Sequence, residues 1–365
     1  MKNITGNNLT LTLFGESHGE AVGAVLDGLS PGIEVKDEDI RHMLELRRPS
    51  GLISTQRSEA DEYRILSGVF EGRTTGTPLC IVIPNTSQKS RDYSETRNLA
   101  RPGHADYTAH VKYGGYEDYR GGGHFSGRVT AGIVAAGAIL VSALREKGIY
   151  IGTHISALSG ISDRGFENYD SDIATLYGKT FPVLSDEASE KMKERILEAR
   201  NSLDSVGGVL ETAIIGLPEG LGEPWFDSVE SRISQAMFGI GGVKGIEFGK
   251  GFGFADMTGS DANDSFRMED GKVVTATNNN GGINGGITNG MPIIFRLAIK
   301  PTPSIYKKQE TVDFVKGENA DIEIEGRHDP CIAHRARVVV DALTAVVVAD
   351  MLIGRYGTDY FTPKN

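Results

Sequence analysis

Residues 9–14, Leu9-Thr10-Leu11-Thr12-Leu13-Phe14, alternate apolar and polar positions with a period of two, which predicts a strand. Residues 21–26, rich in small and branched side chains, predict a second, joined to the first by a loop bounded by Gly15 and Gly19. Residues 37–48 begin acidic and end basic, with Ile40, Met43, Leu44 and Leu46 on one face, so a helix stopped by Pro49 is expected. Residues 65–70 and 79–83 predict further strands across the turn-rich stretch Glu71-Gly72-Arg73-Thr74-Thr75-Gly76-Thr77-Pro78. The order is that of hairpins rather than of alternating strand and helix.

Residues 128–147 are apolar nearly all round and rich in alanine and glycine, as a helix buried among close neighbours requires. Residues 338–353 repeat the pattern, with Asp341 and Asp350 as their only charges. Between these lie a charged amphipathic helix at 187–202, a strand at 206–217, a turn at Glu223-Pro224-Trp225 and a helix at 229–237. Two buried helices flanked by hairpin strands imply a helical layer covered by sheets. No repeat at solenoid spacing is visible, and residues 278–286 form the one low-complexity run, of asparagine and glycine.

With 365 residues, 24% charged and 39% hydrophobic, the chain is of ordinary globular make-up. Its 47 glycines require many tight turns or close approaches. A formal net charge of −11 disfavours a nucleic-acid partner, so any anion site must be local. Cys80 and Cys331 lie far apart and neither belongs to a CxxC pair, which fits a reducing compartment. The amino terminus lacks the apolar core of a signal peptide, and residues 133–144 are too short an apolar stretch to span a bilayer. A cytoplasmic protein without membrane attachment is expected.

Gly15-Glu16-Ser17-His18-Gly19 matches the GxSxG elbow of serine hydrolases, but an elbow needs a following helix and earlier parallel strands, and here a strand-like segment follows. The plainer alternative is a polar hairpin turn with an accessible histidine. Arg101-Pro102-Gly103-His104-Ala105-Asp106 gathers a guanidinium, an imidazole and a carboxylate, suited either to an anionic substrate or to a salt-bridged turn. His104 and His110 are not at zinc-ligand spacing, so no metal is expected. Gly121-Gly122-Gly123-His124-Phe125-Ser126-Gly127-Arg128 leads into the first buried helix, where free amides could face an anion; it is neither a dinucleotide fingerprint nor a P-loop. Residues 239–245 and 278–290 are candidate close-approach loops, and Lys300-Pro301-Thr302-Pro303-Ser304 offers a cation and two hydroxyls. Arg327-His328-Asp329-Pro330-Cys331 repeats the cation, imidazole and carboxylate theme before the second buried helix. These loops point to an anion-processing enzyme, the rival being a binding module that keeps the pocket without turnover.

In this order, Gly15 to Gly19, Arg47-Arg48-Pro49, Leu66 to Gly72, Thr75 to Pro78, Arg101 to Tyr107, Tyr119 to Gly123, Lys300-Pro301-Thr302 and Gly326 to Cys331, the chain resembles the chorismate synthase family along nearly its whole length. The resemblance implies an α+β fold with a layer of helices sandwiched between two antiparallel β-sheets, one domain over residues 1–365, assembled as a homotetramer. It implies a carbon–oxygen lyase of the shikimate pathway of aromatic amino acid biosynthesis. The reaction removes phosphate and a ring hydrogen from 5-enolpyruvylshikimate 3-phosphate on opposite faces. It requires reduced FMN, with NADPH as an indirect electron source and the flavin reduced either by an external flavin reductase as a partner or by an intrinsic nicotinamide-dependent activity. By the same resemblance His18 stabilises reduced flavin, His104 assists the departing phosphate, and Asp329, helped by Ser17, steers the proton at the flavin nitrogen that takes the substrate hydrogen. Arg47, Arg48, Arg101, Arg128 and Arg327 are the implied substrate contacts. The implied flavin contacts are His124, Phe125, Ser126, Gly241, Gly242, Gly285, Lys300, Pro301, Thr302, Pro303, Ser304 and again Arg327.

Three positions depart from the family pattern. After Pro49 the chain reads Ser50-Gly51-Leu52-Ile53-Ser54, one residue shorter and without the usual last arginine of RRPGxSR. His124-Phe125-Ser126 stands where Arg-Ser-Ser is frequent, and Asp341 stands where glutamate is common.

Overall fold

A computed structural model of the chain describes residues 3–49, 51, 53–54, 60–86, 97–324 and 329–364. The alternating N-terminal segment pairs as expected: Thr10–Gly15 runs antiparallel to Ala21–Asp27, with Gly15 opposite Val22. The resulting sheet has the order Ile4–Thr5, Thr10–Gly15, Ala21–Asp27, Leu79–Pro84, Arg64–Ser67. The strand expected over 65–70 is interrupted at Gly68, so Val69–Phe70 pairs separately with Arg73–Thr74. A second antiparallel sheet has the order Val243–Phe248, Ile293–Ile299, Gly208–Ile215, Tyr150–Leu158, Ile161–Ser162.

The two apolar helices lie between the sheets. Thr130–Glu146, reached through a short 3-10 turn at Gly127–Val129, packs on the first sheet. Ala333–Tyr356 packs on the second and runs against its partner helix. Side chains of both sheets and both helices join in one hydrophobic core. The span Gly127–Glu146 is long and apolar enough to cross a membrane, and 89% of its most apolar window is buried inside the fold.

The last helix begins five residues before the expected 338 because Arg337, polar in sequence, is buried with partners: Asp341, Leu176 O and Lys179 O. Asp341 in turn accepts from Thr153 Oγ1 at 2.6 Å, tying the helix to the second sheet, and burial raises its carboxyl above the usual range.

Close approach of the central helices depends on Gly137, where a Cβ would lie 2.5 Å from Ala342 Cβ and 2.7 Å from Ala342 Cα. Gly137→Ala therefore forces the helices apart and is expected to destabilise the fold by about 1–3 kcal/mol, read as a lowered midpoint in thermal unfolding. An unchanged midpoint would show that the layer tolerates a wider spacing.

Candidate active site

The hairpin between the first two paired strands projects Ser17 and His18 inward; both are buried. Ser17 N–H donates to Gly123 O at 3.0 Å, and Asn85 Nδ2 donates to Glu16 O and Gly19 O at 2.9 Å each. A Cβ on Gly121 would meet His18 Cε1 at 2.3 Å and Ser17 Oγ at 3.1 Å, so only glycine lets this loop lie over the pair. His124 meets the Gly15 carbonyl through Nδ1 at 2.7 Å; a carbonyl only accepts, so Nδ1 carries a proton and donates. Phe125 is half exposed against the edge of Tyr113, and Ser126 Oγ accepts from Arg128 N–H at 3.3 Å, capping the turn before the core helix.

Across from Gly122, Arg101 grips Asp106 with Nε at 2.8 Å and Nη2 at 2.7 Å, while its own N–H donates to the same carboxylate at 3.0 Å. Burial alone would raise the Asp106 carboxyl, but Arg101 more than reverses that and holds it below the usual range. The loop they close carries His104, whose Nε2 lies 2.7 Å from Ser304 Oγ. Lys300 Nζ donates to Gly103 O at 2.6 Å, and Lys300 N–H donates to Gly242 O at 2.9 Å. Thr302 O accepts from Ser205 Oγ at 2.6 Å, next to the Val206 N–H that donates to Pro330 O at 2.9 Å. Residues 300–304 thus bind the 101–106 loop to Gly242 and to the start of the last helix.

The third arc is cationic. Arg335 on that helix bonds Asp329 through Nη1 and donates from Nε to Arg47 O at 2.8 Å. Arg47 Nη2 donates to Asp61 Oδ2 at 2.6 Å, and the other oxygen of Asp61 takes Arg128 Nη1. Arg128 Nε returns to Asn85 Oδ1 at 2.9 Å, and Asn85 holds the Ser17 and His18 hairpin. Burial would raise Asp61, but Arg47 and Arg128 outweigh it and keep the carboxyl below its usual range. Ser54 is tied to the arc by a 2.7 Å bond to His334 Nε2, whose imidazole burial pushes down to about 3, so it is neutral at physiological pH.

The contacts therefore close on themselves, from the hairpin through 121–124, 101–106, 300–304, Asp329, Arg335, Arg47, Asp61, Arg128 and Asn85 back to the hairpin. Along this ring Ser17 Oγ, Arg47 Nε, Arg48 Nε and Thr302 Oγ1 are buried without a hydrogen-bond partner among the described residues. Such groups cost about 1–3 kcal/mol each when left unpaired, so their concentration here marks where a polar ligand fits.

Of the residues expected from sequence, the ring brings together Ser17, His18, Arg47 with its neighbour Arg48, Arg101, His104, His124, Arg128, the run Lys300 to Ser304, Gly242 and Asp329. Gly241 faces open space. Gly285 faces open space as well, and the neighbouring Gly286 O accepts from Val229 N–H at the start of the Val229–Met237 helix, whose far end leads to Gly241 and Gly242. Arg327 and His328 lie outside the described residues, as do Ser50 and Leu52 of the shortened loop. Asp61, Asn85 and Arg335 are members of this ring that sequence reasoning missed. Arg335 alone carried a signal, its place four residues after Cys331 just beyond the Arg327 to Cys331 cluster.

The family model described as chorismate synthase matches residues 9–353. A chorismate synthase of Thermococcus kodakarensis is 48% identical over 351 residues, covering 96% of this chain and 97% of its own length. One of Methanobrevibacter smithii is 45% identical, covering 100% of this chain and 99% of its own. A solved structure titled "Crystal Structure of Chorismate Synthase" superposes with a TM-score of 0.77 at 31% identity, over 97% of this chain and 94% of that one. The chain therefore belongs to the chorismate synthase family, carbon–oxygen lyases that eliminate phosphate from 5-enolpyruvylshikimate 3-phosphate to give chorismate in aromatic amino acid biosynthesis.

Proposed function

We propose that this chain acts as a single domain in the cytoplasm, as a homotetramer, and that it carries out its elimination with reduced FMN held against the ring of loops described above. NADPH is the indirect source of the electrons, delivered by an external flavin reductase. The observation that carries the cofactor reading is the set of buried, unpartnered polar atoms on the ring. Thr302 Oγ1 lies in the run 300–304, beside Lys300 and Ser304, which suits a phosphate-bearing ligand; the space at Gly241 admits one closely. Exposed Trp225, Phe226 and Phe252 support association with further copies.

When bound, reduced flavin supplies transient electron density that lets the carbon–oxygen bond to phosphate break without net oxidation. The protein supplies orientation and charge. Arg47, Arg48, Arg101 and Arg128, with Arg327, hold the phosphate and carboxylates of the substrate. His104, fixed through Nε2 by Ser304, donates a proton to the departing phosphate oxygen. His18, beneath Gly121, stabilises the charge of the reduced cofactor. Asp329, oriented by Arg335 and assisted by Ser17, steers the proton that accompanies loss of the ring hydrogen.

The test is anaerobic turnover of 5-enolpyruvylshikimate 3-phosphate with photoreduced FMN, run with and without NADPH. Chorismate should form only with reduced flavin, and NADPH alone should not replace it unless a reductase is added. Undiminished activity without flavin would overturn the cofactor reading, and tight substrate binding without turnover under these conditions would favour a binding module.

A further inference from the structure

Asn85 follows directly on the strand Leu79–Pro84, where its backbone N–H donates to Glu20 O at 3.1 Å and extends the pairing of Pro84 with Ala21. Its side chain turns to the hairpin tip. Nδ2 donates to Glu16 O and to Gly19 O, and these two carbonyls flank Ser17 and His18 on either side in the chain. Oδ1 accepts from Arg128 Nε at 2.9 Å. Carbonyls only accept and a guanidinium only donates, so one orientation of the amide satisfies all three contacts. Within the tip, Gly19 N–H donates to Glu16 O at 3.1 Å and closes the turn, which puts both clasped carbonyls on one small loop. A two-point clamp resists rotation of that loop better than a single bond. Ser17 and His18, both buried, therefore take a bearing set from the neighbouring strand.

We infer that Asn85 is a positioning residue for the elimination: its amide holds the tip that carries Ser17 and His18 at a fixed bearing to Arg128, so that the imidazole reaches the reduced cofactor in one register. The inference rests on the reading above that His18 stabilises the reduced cofactor. Asn85 acts through its neighbours, both amide protons being spent on the hairpin.

The experiment compares Asn85→Asp, Asn85→Ala and His18→Ala in the full chain by anaerobic absorbance titration with photoreduced FMN, steady-state kinetics at saturating reduced FMN, and thermal unfolding. Aspartate still offers Arg128 an oxygen but has no proton for either carbonyl, so it separates the two ends of the amide. Both Asn85 variants should lower kcat about tenfold or more, aspartate no less than alanine. Both should change the spectrum of bound reduced FMN in the sense that His18→Ala does. Parent-like kcat in Asn85→Asp would overturn the inference, since the contact to Arg128 would then suffice. So would a parent-like flavin spectrum in both variants, or loss of the fold in both, which would make the amide merely structural. If His18→Ala alters the spectrum and neither Asn85 variant does, the inference alone fails; if His18→Ala leaves spectrum and kcat unchanged, the reading of His18 fails.

Discussion

His104→Ala is expected to lower kcat by about 10²–10⁴-fold, the range that a positioned proton donor contributes, while leaving the unfolding midpoint near that of the parent chain. The asymmetry between activity and stability follows from how the imidazole is held. One of its partners is Ser304 Oγ, a hydroxyl on another loop, and the two loops stay joined without it through Lys300 Nζ and Gly103 O. Arg101 and Asp106 independently close the turn that carries it. Removing the imidazole thus deletes the proposed proton donor without unlocking the scaffold. Rapid-quench measurement of phosphate release in single turnovers, compared with substrate binding, isolates the effect. A variant that releases phosphate at the parent rate would show that another group protonates the leaving oxygen.

The second large effect concerns stability. Asp350, fully buried near the end of the last helix, accepts from Asn7 N–H at 3.0 Å, Asn8 N–H at 2.6 Å and Leu9 N–H at 2.8 Å, and it also bonds Arg232 Nη2. One carboxylate thereby pins the first turn of the chain and the Val229–Met237 helix to the core. Asp350→Ala leaves three amides unmatched and a largely buried guanidinium with only its longer, 3.4 Å contact to Asp227, which is expected to destabilise the fold by about 3–5 kcal/mol. Denaturant unfolding measures it, and Arg232→Met in the same background should recover part of the loss. A shift below about 1 kcal/mol would mean that water reaches and satisfies these groups.

Local pattern located the elements whose stability is itself local. Val229–Met237 stands where its apolar spacing puts it, behind a Ser228 hydroxyl that caps Ser231 N–H, and Asp186–Asn201 begins after a similar cap at Ser185. The alternating strand at the amino terminus also falls within a residue of its expected place. Where polar residues are buried by distant partners, pattern misleads: Ala333 to Arg337 reads as a polar lead-in and is the first turn and more of the central helix. Tyr150–Leu158 mixes His154 into its buried face, because Asp163 and Glu211 receive the imidazole, and no period of two singles it out.

The site divides in the same way. Its histidines and arginines advertised anion chemistry by type and by glycine context, and ordered resemblance supplied their roles. Asp61 and Asn85 offered nothing in sequence, since an aspartate in a polar run and an asparagine after a strand are ordinary. Their meaning lies in contacts to residues 14 to 69 positions away.

The ring of loops also sets a schedule for synthesis. Its members run from the hairpin at Ser17 to Arg335, and the helix that follows separates the two sheets. As the chain leaves the ribosome, the first sheet is soon followed by Thr130–Glu146, which covers it, but the second sheet emerges before Ala333–Tyr356, so its apolar face is not fully covered until the final stretch is free. Until then the nascent chain holds an open sheet face that invites aggregation and a ring of loops that lacks Arg335. Assembly of the fold and acquisition of activity are therefore one late, concerted event, and a chain halted before Ala333 yields neither.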